Sequence, residues 1–397
     1  MSVKKLIRRI YQWFCFKWVY PRAFEKAKRL HPMEENRVLF VEYRSETLSN
    51  SFRYFHDFLK EKGGYDIEVF YLHALKLHGP QYVKQVISLY QELAKAHYVF
   101  LEDASNVISG VKVRPECVIT QLWHACGAFK KFGFSTADLI FGGNRRDKTN
   151  YPYYKNLDLV TVSAPEIRWA YVEAMGLEET PDVVEAAGIS RTDVFFDEEF
   201  LSGARDRLLD AVPQVRDKKV ILYAPTFRGM VDFAEGPDEL DISAFREALG
   251  DEYILLIKHH PFVKNRPEIP ADSGEFAFDV SDSMIIDDLL CVADVCISDY
   301  SSLIYEYSLF NRPMIFFAYD LDDYCDWRGF YYDYDELTPG PVLKTTGEII
   351  SYIEGLKNGF DDTQIRAFRE KFMGSCDGHS TERIWDIVQE KAVEKRA

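Results

Sequence analysis

From residue 37 onward, short β-rich apolar runs alternate with stretches of helical period, and the alternation occurs twice. In the first series the runs 38–41, 67–72, 98–102, 117–122 and 157–162 read as strands. Residues 51–62, 80–96 and 166–175 read as helices, the second with a stripe at 83, 86, 87, 90 and 93 and the third closed by Gly176. A polar stretch over 191–219, containing a helix and Pro213, holds the expected domain junction in its first part. A second series follows, with strands at 220–224, 253–258, 276–280, 295–297 and 314–317. Its helices fall near 242–249, 285–292, 303–310 and 347–357. Strands separated by helices pair in parallel, and a parallel sheet needs both faces covered. The expected class is therefore α/β, and 397 residues exceed what one core usually serves. Two parallel-sheet domains facing a cleft are predicted.

The hydrophobic content of 47% is ample for two cores. Seven cysteines, at 15, 117, 126, 291, 296, 325 and 376, form no CxxC pair, which fits reduced thiols better than a disulfide framework or zinc site. The net charge of −16 argues against a nucleic-acid partner. Yet residues 1–30 hold nine Lys/Arg against the single acid Glu25, interleaved with Leu6, Ile7, Ile10, Trp13, Phe14 and Trp18. A basic, aromatic-rich amphipathic helix of this kind suits the interface of an anionic membrane. It is too short and charged to span one, because Lys17 interrupts the apolar run. The competing reading packs it on the acidic body of this protein or a partner. The expected organisation is a membrane-associating segment at 1–30, a first Rossmann-like domain at 31–200 and a second at 201–376. A last segment, 377–397, would pack its helix back across both.

Chemistry belongs at the carboxyl ends of parallel strands. The stretch 298–313, SDYSSLIYEYSLFNRP, follows a strand with a polar turn and a helix. Asp299, Ser301, Ser302 and the helix start can hold a phosphate ester, with Glu306 within reach of sugar hydroxyls; the same turn equally serves as a helix cap. Thr226, Arg228 and Gly229 close another strand, and arginine offers a planar fork to phosphate. Lys258-His259-His260-Pro261 ends a third. Adjacent histidines on a strand point to opposite faces, so one enters the cleft, and His260 is the expected phosphate donor. Arg328 beside Gly329 is a further donor-binding candidate among aromatics that otherwise read as core. In the first series His124 stands just past a strand, as a general base would, with Lys130 and Lys131 following as anion-binding candidates for the acceptor. The bland alternative is a histidine hydrogen-bonded beneath a loop. No GxGxxG or Walker loop supports a nicotinamide or ATP cofactor, and no metal-ligand spacing is present.

The segments QLWHACGAFKKFG, AAGISRTDVFF (186–196), LYAPTFRG, IKHHP, SDYSSLIYEYSLFNRPMIFFAYD, RGFYYDYDELTPGPVLKTTGEI and DGHSTER (377–383), in this order, resemble the CDP-glycerol glycerophosphotransferases. These are the teichoic acid primases and polymerases of Gram-positive bacteria, with related capsule enzymes. The resemblance implies a GT-B architecture of two Rossmann-like domains and transfer of glycerol phosphate from CDP-glycerol to a lipid-linked or polymeric acceptor. CMP would be released, with no cofactor and no metal, at the cytoplasmic face of the membrane. It maps the catalytic histidines to His124 and His260 and the donor turn to Ser301 and Ser302. Where the family has glycine after the first histidine, this chain has Ala125. The alternatives are CDP-ribitol as donor, a GT-B glycosyltransferase using a nucleotide sugar, or a membrane-bound nucleotide- or anionic-polymer-binding protein without activity.

Overall fold

The computed structural model describes residues 3–74, 76–137, 139, 144–229, 233–322, 324 and 329–396, with Lys4 and Lys5 described by backbone alone. The chain forms two compact units. The first comprises Met1–His124, Phe132–Asp193 and Ser375–Ala397; the second comprises Ala125–Lys131 and Val194–Gly374. The chain thus passes to the second unit immediately after His124 and returns at Phe132. The position expected for the domain boundary, 200/201, lies inside the helix Glu198–Ala211, which Asp197 caps by accepting the N–H groups of Glu199 and Phe200.

The first unit is built on a parallel sheet of six strands among the described residues. They are β1 (Arg37–Glu42), β2 (Asp66–Tyr71), β3 (Tyr98–Leu101), β4 (Val118–Gln121), β5 (Leu159–Thr161) and β6 (Val184–Glu185). Their order is β2-β1-β3-β4-β5-β6. Every residue of β1 is buried, as an inner strand covered on both faces requires. Phe40, Phe52, Phe55 and Phe100 fill one side with Trp385 of the helix Ser380–Glu394. That helix begins where the Asp193 carboxylate accepts the N–H groups of Ser380 (3.0 Å) and Thr381 (2.7 Å). Two of the recognisable segments, 186–196 and 377–383, therefore meet as a helix cap.

Residues 3–30 divide in two. The helix Tyr20–Leu30 buries Tyr20, Phe24 and Ala27. Tyr20 and Phe24 lie against Tyr90 of the helix Gly79–Lys95, and Arg114 donates to the carbonyls of Lys28 and His31. This half packs on its own protein, as the competing reading had it. The helix Val3–Phe14, joined through one π-turn at Cys15–Val19, leaves Leu6, Ile7, Ile10, Trp13 and Phe14 exposed.

The second unit repeats the architecture with β7 (Lys219–Tyr223), β8 (Tyr253–Ile257), β9 (Ala277–Asp279), β10 (Val295–Ser298), β11 (Met314–Phe317) and β12 (Val342–Leu343). All are parallel, in the order β12-β11-β10-β7-β8-β9. Ile221, Leu255, Ile257 and Ile297 pack with Phe245 and Ile349 of the covering helices. The segment Ala125–Lys131 lies on this unit, bridging Lys130 to Phe330 and donating the Lys131 N–H to the Gly329 carbonyl at 3.1 Å. It comes so close at Gly127 (φ +63°) that a Cβ there would fall into the Tyr305 ring.

Strand order sets where ligands can sit. In the first sheet the chain leaves β1 to one side for β2 and to the other for β3. In the second, β8 and β9 lie to one side of β7 and β10 to the other. The crevices outside the carboxyl ends at these reversals, β1/β3 and β7/β10, are the binding positions of such sheets.

Candidate functional site

At the β7/β10 reversal the two following turns are tied together by one buried carboxylate. Asp299 is 2% exposed and accepts the N–H of Thr226, the Thr226 hydroxyl and the Arg228 Nη1, each at 2.9 Å. Arg228 in turn grips Asp320 past β11 with both prongs, Nε at 2.6 Å and Nη2 at 3.0 Å, and the Tyr300 hydroxyl adds a third bond at 2.9 Å. The guanidinium also lies 5.3 Å from the centroids of Tyr300 and Tyr324, which stack on each other at 3.8 Å. Burial works against the Arg228 charge, but Asp299 and the hydrogen-bonded Asp320 outweigh it and hold its pKa above the ordinary value. The fork that the sequence offered to phosphate is committed within the protein.

Around this tie the turn presents Ser301 and Ser302, both half-buried. Ser301 Oγ accepts from the Leu303 N–H at 3.4 Å, and the Ser302 hydroxyl makes no capping bond. Glu306 lies one turn into the helix Leu303–Ser308 and is only 3% exposed. Past β8, the His260 Nδ1 accepts the Phe262 N–H at 3.2 Å, and its ring packs against those of Phe227 and Phe262. A neutral imidazole with Nδ1 so engaged carries its proton on Nε2. Its neighbour His259 is buried, and burial lowers its pKa. Lys258 Nζ donates to the carbonyls of Ser281 (2.7 Å) and Met284 (2.6 Å), so it braces a loop. Arg328 lies outside the described residues.

The structure assigns Lys130 and Lys131 to this second unit. Lys130 Nζ stands 5.2 Å from the Tyr324 centroid, over the ring that stacks on Tyr300. Lys130 thus accompanies the Arg228 cluster.

In the first unit His124 follows β4 and is exposed. Its position depends on Trp123, which adopts φ +62° and stacks its ring on the imidazole at 4.5 Å. Nδ1 lies 2.8 Å from the Glu102 carbonyl oxygen. Only a protonated Nδ1 can make that bond, so Nε2 is the basic nitrogen. At the β1/β3 reversal, Glu42 ends β1 and Glu102 follows β3. Burial, then the Asp103 and Glu42 charges, push the Glu102 carboxyl up to about 7.

A sequence model of the family described as CDP-glycerol:poly(glycerophosphate) glycerophosphotransferase matches residues 23–390. The chain belongs to this family. A teichoic acid poly(ribitol-phosphate) polymerase of Bacillus spizizenii is 38% identical over 91% of this chain and 57% of the relative. This chain thus spans little more than half the length of that protein. A teichoic acid ribitol-phosphate primase of the same organism is 34% identical over 94% of this chain and 95% of the relative. Among solved structures, the wall teichoic acid polymerase TagF superposes with a TM-score of 0.77 at 20% identity, covering 99% of both chains, and shares the fold.

Within this glycerophosphotransferase fold, sequence reasoning passed over Glu42, Glu102 and Asp320. Each directly follows, ends or lies shortly beyond an apolar run, so a signal existed. Their importance depends on which strands are neighbours, which spacing alone does not show.

Proposed function

We propose that this chain transfers an alditol phosphate from a CDP-alditol to a hydroxyl of a lipid-linked or polymeric teichoic-acid-type acceptor, with release of CMP. The observation that carries the reading is the pair of histidines of opposite polarity: Nε2 of His124 is free to accept a proton, and Nε2 of His260 carries one. Phosphoryl-type transfer asks for positioning and neutralisation of charge more than for covalent chemistry. His124 takes the proton of the acceptor hydroxyl as its oxygen attacks the distal phosphorus, and the bond to the bridging oxygen of CMP breaks. His260, Ser301, Ser302 and Lys130 hold the diphosphate by charge-assisted hydrogen bonds, with Arg328 as a further donor-binding candidate. Arg228, Asp299 and Thr226 fix the shape of that turn, and Lys258 fixes the loop beside it. Glu306 receives the ribose hydroxyls, and Lys131 steadies the segment that follows His124.

The family description supports glycerol phosphate as the transferred group, and the two curated relatives, both named for ribitol phosphate, support ribitol. Incubation with CDP-glycerol and CDP-ribitol in parallel, on a lipid-linked acceptor, decides by CMP release. We expect His124→Ala to lower turnover about 10²–10⁴-fold while leaving the thermal shift by the donor intact. Turnover at the wild-type rate would remove His124 as the base. Among the described residues no helix is long and apolar enough to cross a membrane. The exposed apolar stripe of Val3–Phe14 supports peripheral attachment to an anionic membrane, which this reading places at the cytoplasmic face.

A further inference from the structure

The first unit contains a cavity of about 550 Å³ that the reaction scheme above does not use. One wall is the amino-terminal helix with its π-turn, through Arg8, Tyr11, Gln12 and Cys15; the opposite wall carries Tyr43, Tyr82, Asn106 and Tyr153. At 100° per residue, positions 8, 11, 12 and 15 share one face of a helix, and 6, 7, 10, 13 and 14 the other. The second set is the exposed apolar stripe. The same helix therefore turns an apolar face outward and a hydroxyl-, amide- and guanidinium-bearing face into the cavity.

The lining is unlike an apolar packing defect. Tyr43, Tyr82 and Tyr153 line it together, and burial raises the pKa of all three phenols, which keeps them protonated. Arg8 forms no ion pair among the described residues, whereas its neighbour Arg9 is bound to Asp147 at 2.9 Å. Two hydrogen bonds through Glu102 link the cavity wall to the base. The Tyr43 N–H donates to Glu102 Oε1 at 3.3 Å, and the Glu102 carbonyl accepts from His124 Nδ1 at 2.8 Å. Its volume falls within the ordinary range of small-ligand sites.

We propose that this cavity is the acceptor subsite, holding a phosphodiester-linked alditol segment with its phosphate at Arg8 and its hydroxyls among Tyr43, Tyr82, Gln12 and Asn106. The proposal rests on the alditol phosphate transfer proposed above and assigns the acceptor to particular residues. A helix that lies on the membrane by one face and lines the subsite by the other would keep the growing end of a lipid-linked acceptor beside His124.

The test uses the full-length protein and water-soluble trimers of glycerol phosphate and of ribitol phosphate that carry no lipid. Arg8→Gln removes the charge, and Ala74→Trp, at a small residue of the lining, fills the space. Each is expected to weaken trimer binding about tenfold and raise the acceptor KM by the same factor, with an unchanged thermal shift by the CDP-alditol. The loss from Arg8→Gln shrinks as salt rises, as an exposed charge contact must. Wild-type trimer affinity in both variants, with donor binding intact, overturns the subsite. If the variants instead reduce flotation on anionic vesicles and leave trimer binding alone, the cavity takes lipid headgroups and the proposal is likewise overturned. Absence of any donor shift or CMP release in the wild type would sink the transfer reading. Trimer binding to the same variants would still decide the subsite.

Discussion

Arg228 shows how a residue's chemistry is decided by its partners. In sequence it is a free guanidinium at a strand end; in the fold it is shared between Asp299 and Asp320, 71 and 92 residues away. Removing one partner of a buried pair leaves an uncompensated charge. Arg228→Ala should therefore lower stability by about 3–5 kcal/mol, read as the urea midpoint at constant m-value. Arg228→Lys should recover only part, because an ammonium cannot bridge Asp320 bidentately. Stability equal to wild type in both would show that the tie is idle. Glu102 supplies the residue-scale pH dependence. Its folded pKa of about 7 exceeds the ordinary glutamate value of 4.5. The folded state thus holds the proton more tightly than the unfolded state does. Its favourable contribution is complete below pH 4.5 and is lost as pH rises to about 7. Relative to Glu102→Gln, the wild type should lose stability across that window and run parallel above it. Parallel curves throughout would contradict the raised pKa.

At the scale of elements, the amino-terminal segment is two structures with different surroundings. Tyr20–Leu30 is held by buried aromatics and by Arg114, while Val3–Phe14 keeps its apolar stripe outside. The double substitution Ile7→Asp with Ile10→Asp should abolish flotation on anionic vesicles and leave the melting temperature within about a degree, since surface changes rarely move stability by much. Undiminished flotation would mean that the stripe has another use. The composition of residues 1–30 announced a basic amphipathic arm, but the division at the π-turn was not legible. It arises because Tyr20 and Phe24 find Tyr90, some 70 residues on, and no local pattern encodes that meeting. The two-residue strands β6 and β12 were missed for a simpler reason: two residues cannot display a period.

At the scale of the whole molecule, the two units repeat one architecture and carry different halves of the proposed reaction. A donor that binds only the native state stabilises it by about 2.7 kcal/mol at a hundred times its Kd. That protection should be local. Hydrogen exchange in the presence of CDP-alditol should slow at 224–228 and 298–303, around the β7/β10 reversal, and leave β1–β6 nearly unchanged. Protection concentrated in the first unit would place the nucleotide elsewhere.

The amino-acid sequence by itself determined the α/β class, the two series of strands, the basic arm, and the stations of His124, Thr226, His260 and Ser301 at strand ends. Each is a local matter of period, turn chemistry or composition. Tertiary structure alone decided which strands are neighbours, and hence where each sheet reverses. It also decided that Arg228 and Lys258 are spent on internal partners and that Lys130 joins the tyrosine stack. The polarity of His124 depends on it too, because a proton's place on an imidazole is set by the group facing the other nitrogen, whereas at His260 that group is the N–H of Phe262, two residues on. For His124 that group is a carbonyl from another strand end, brought into contact only by folding.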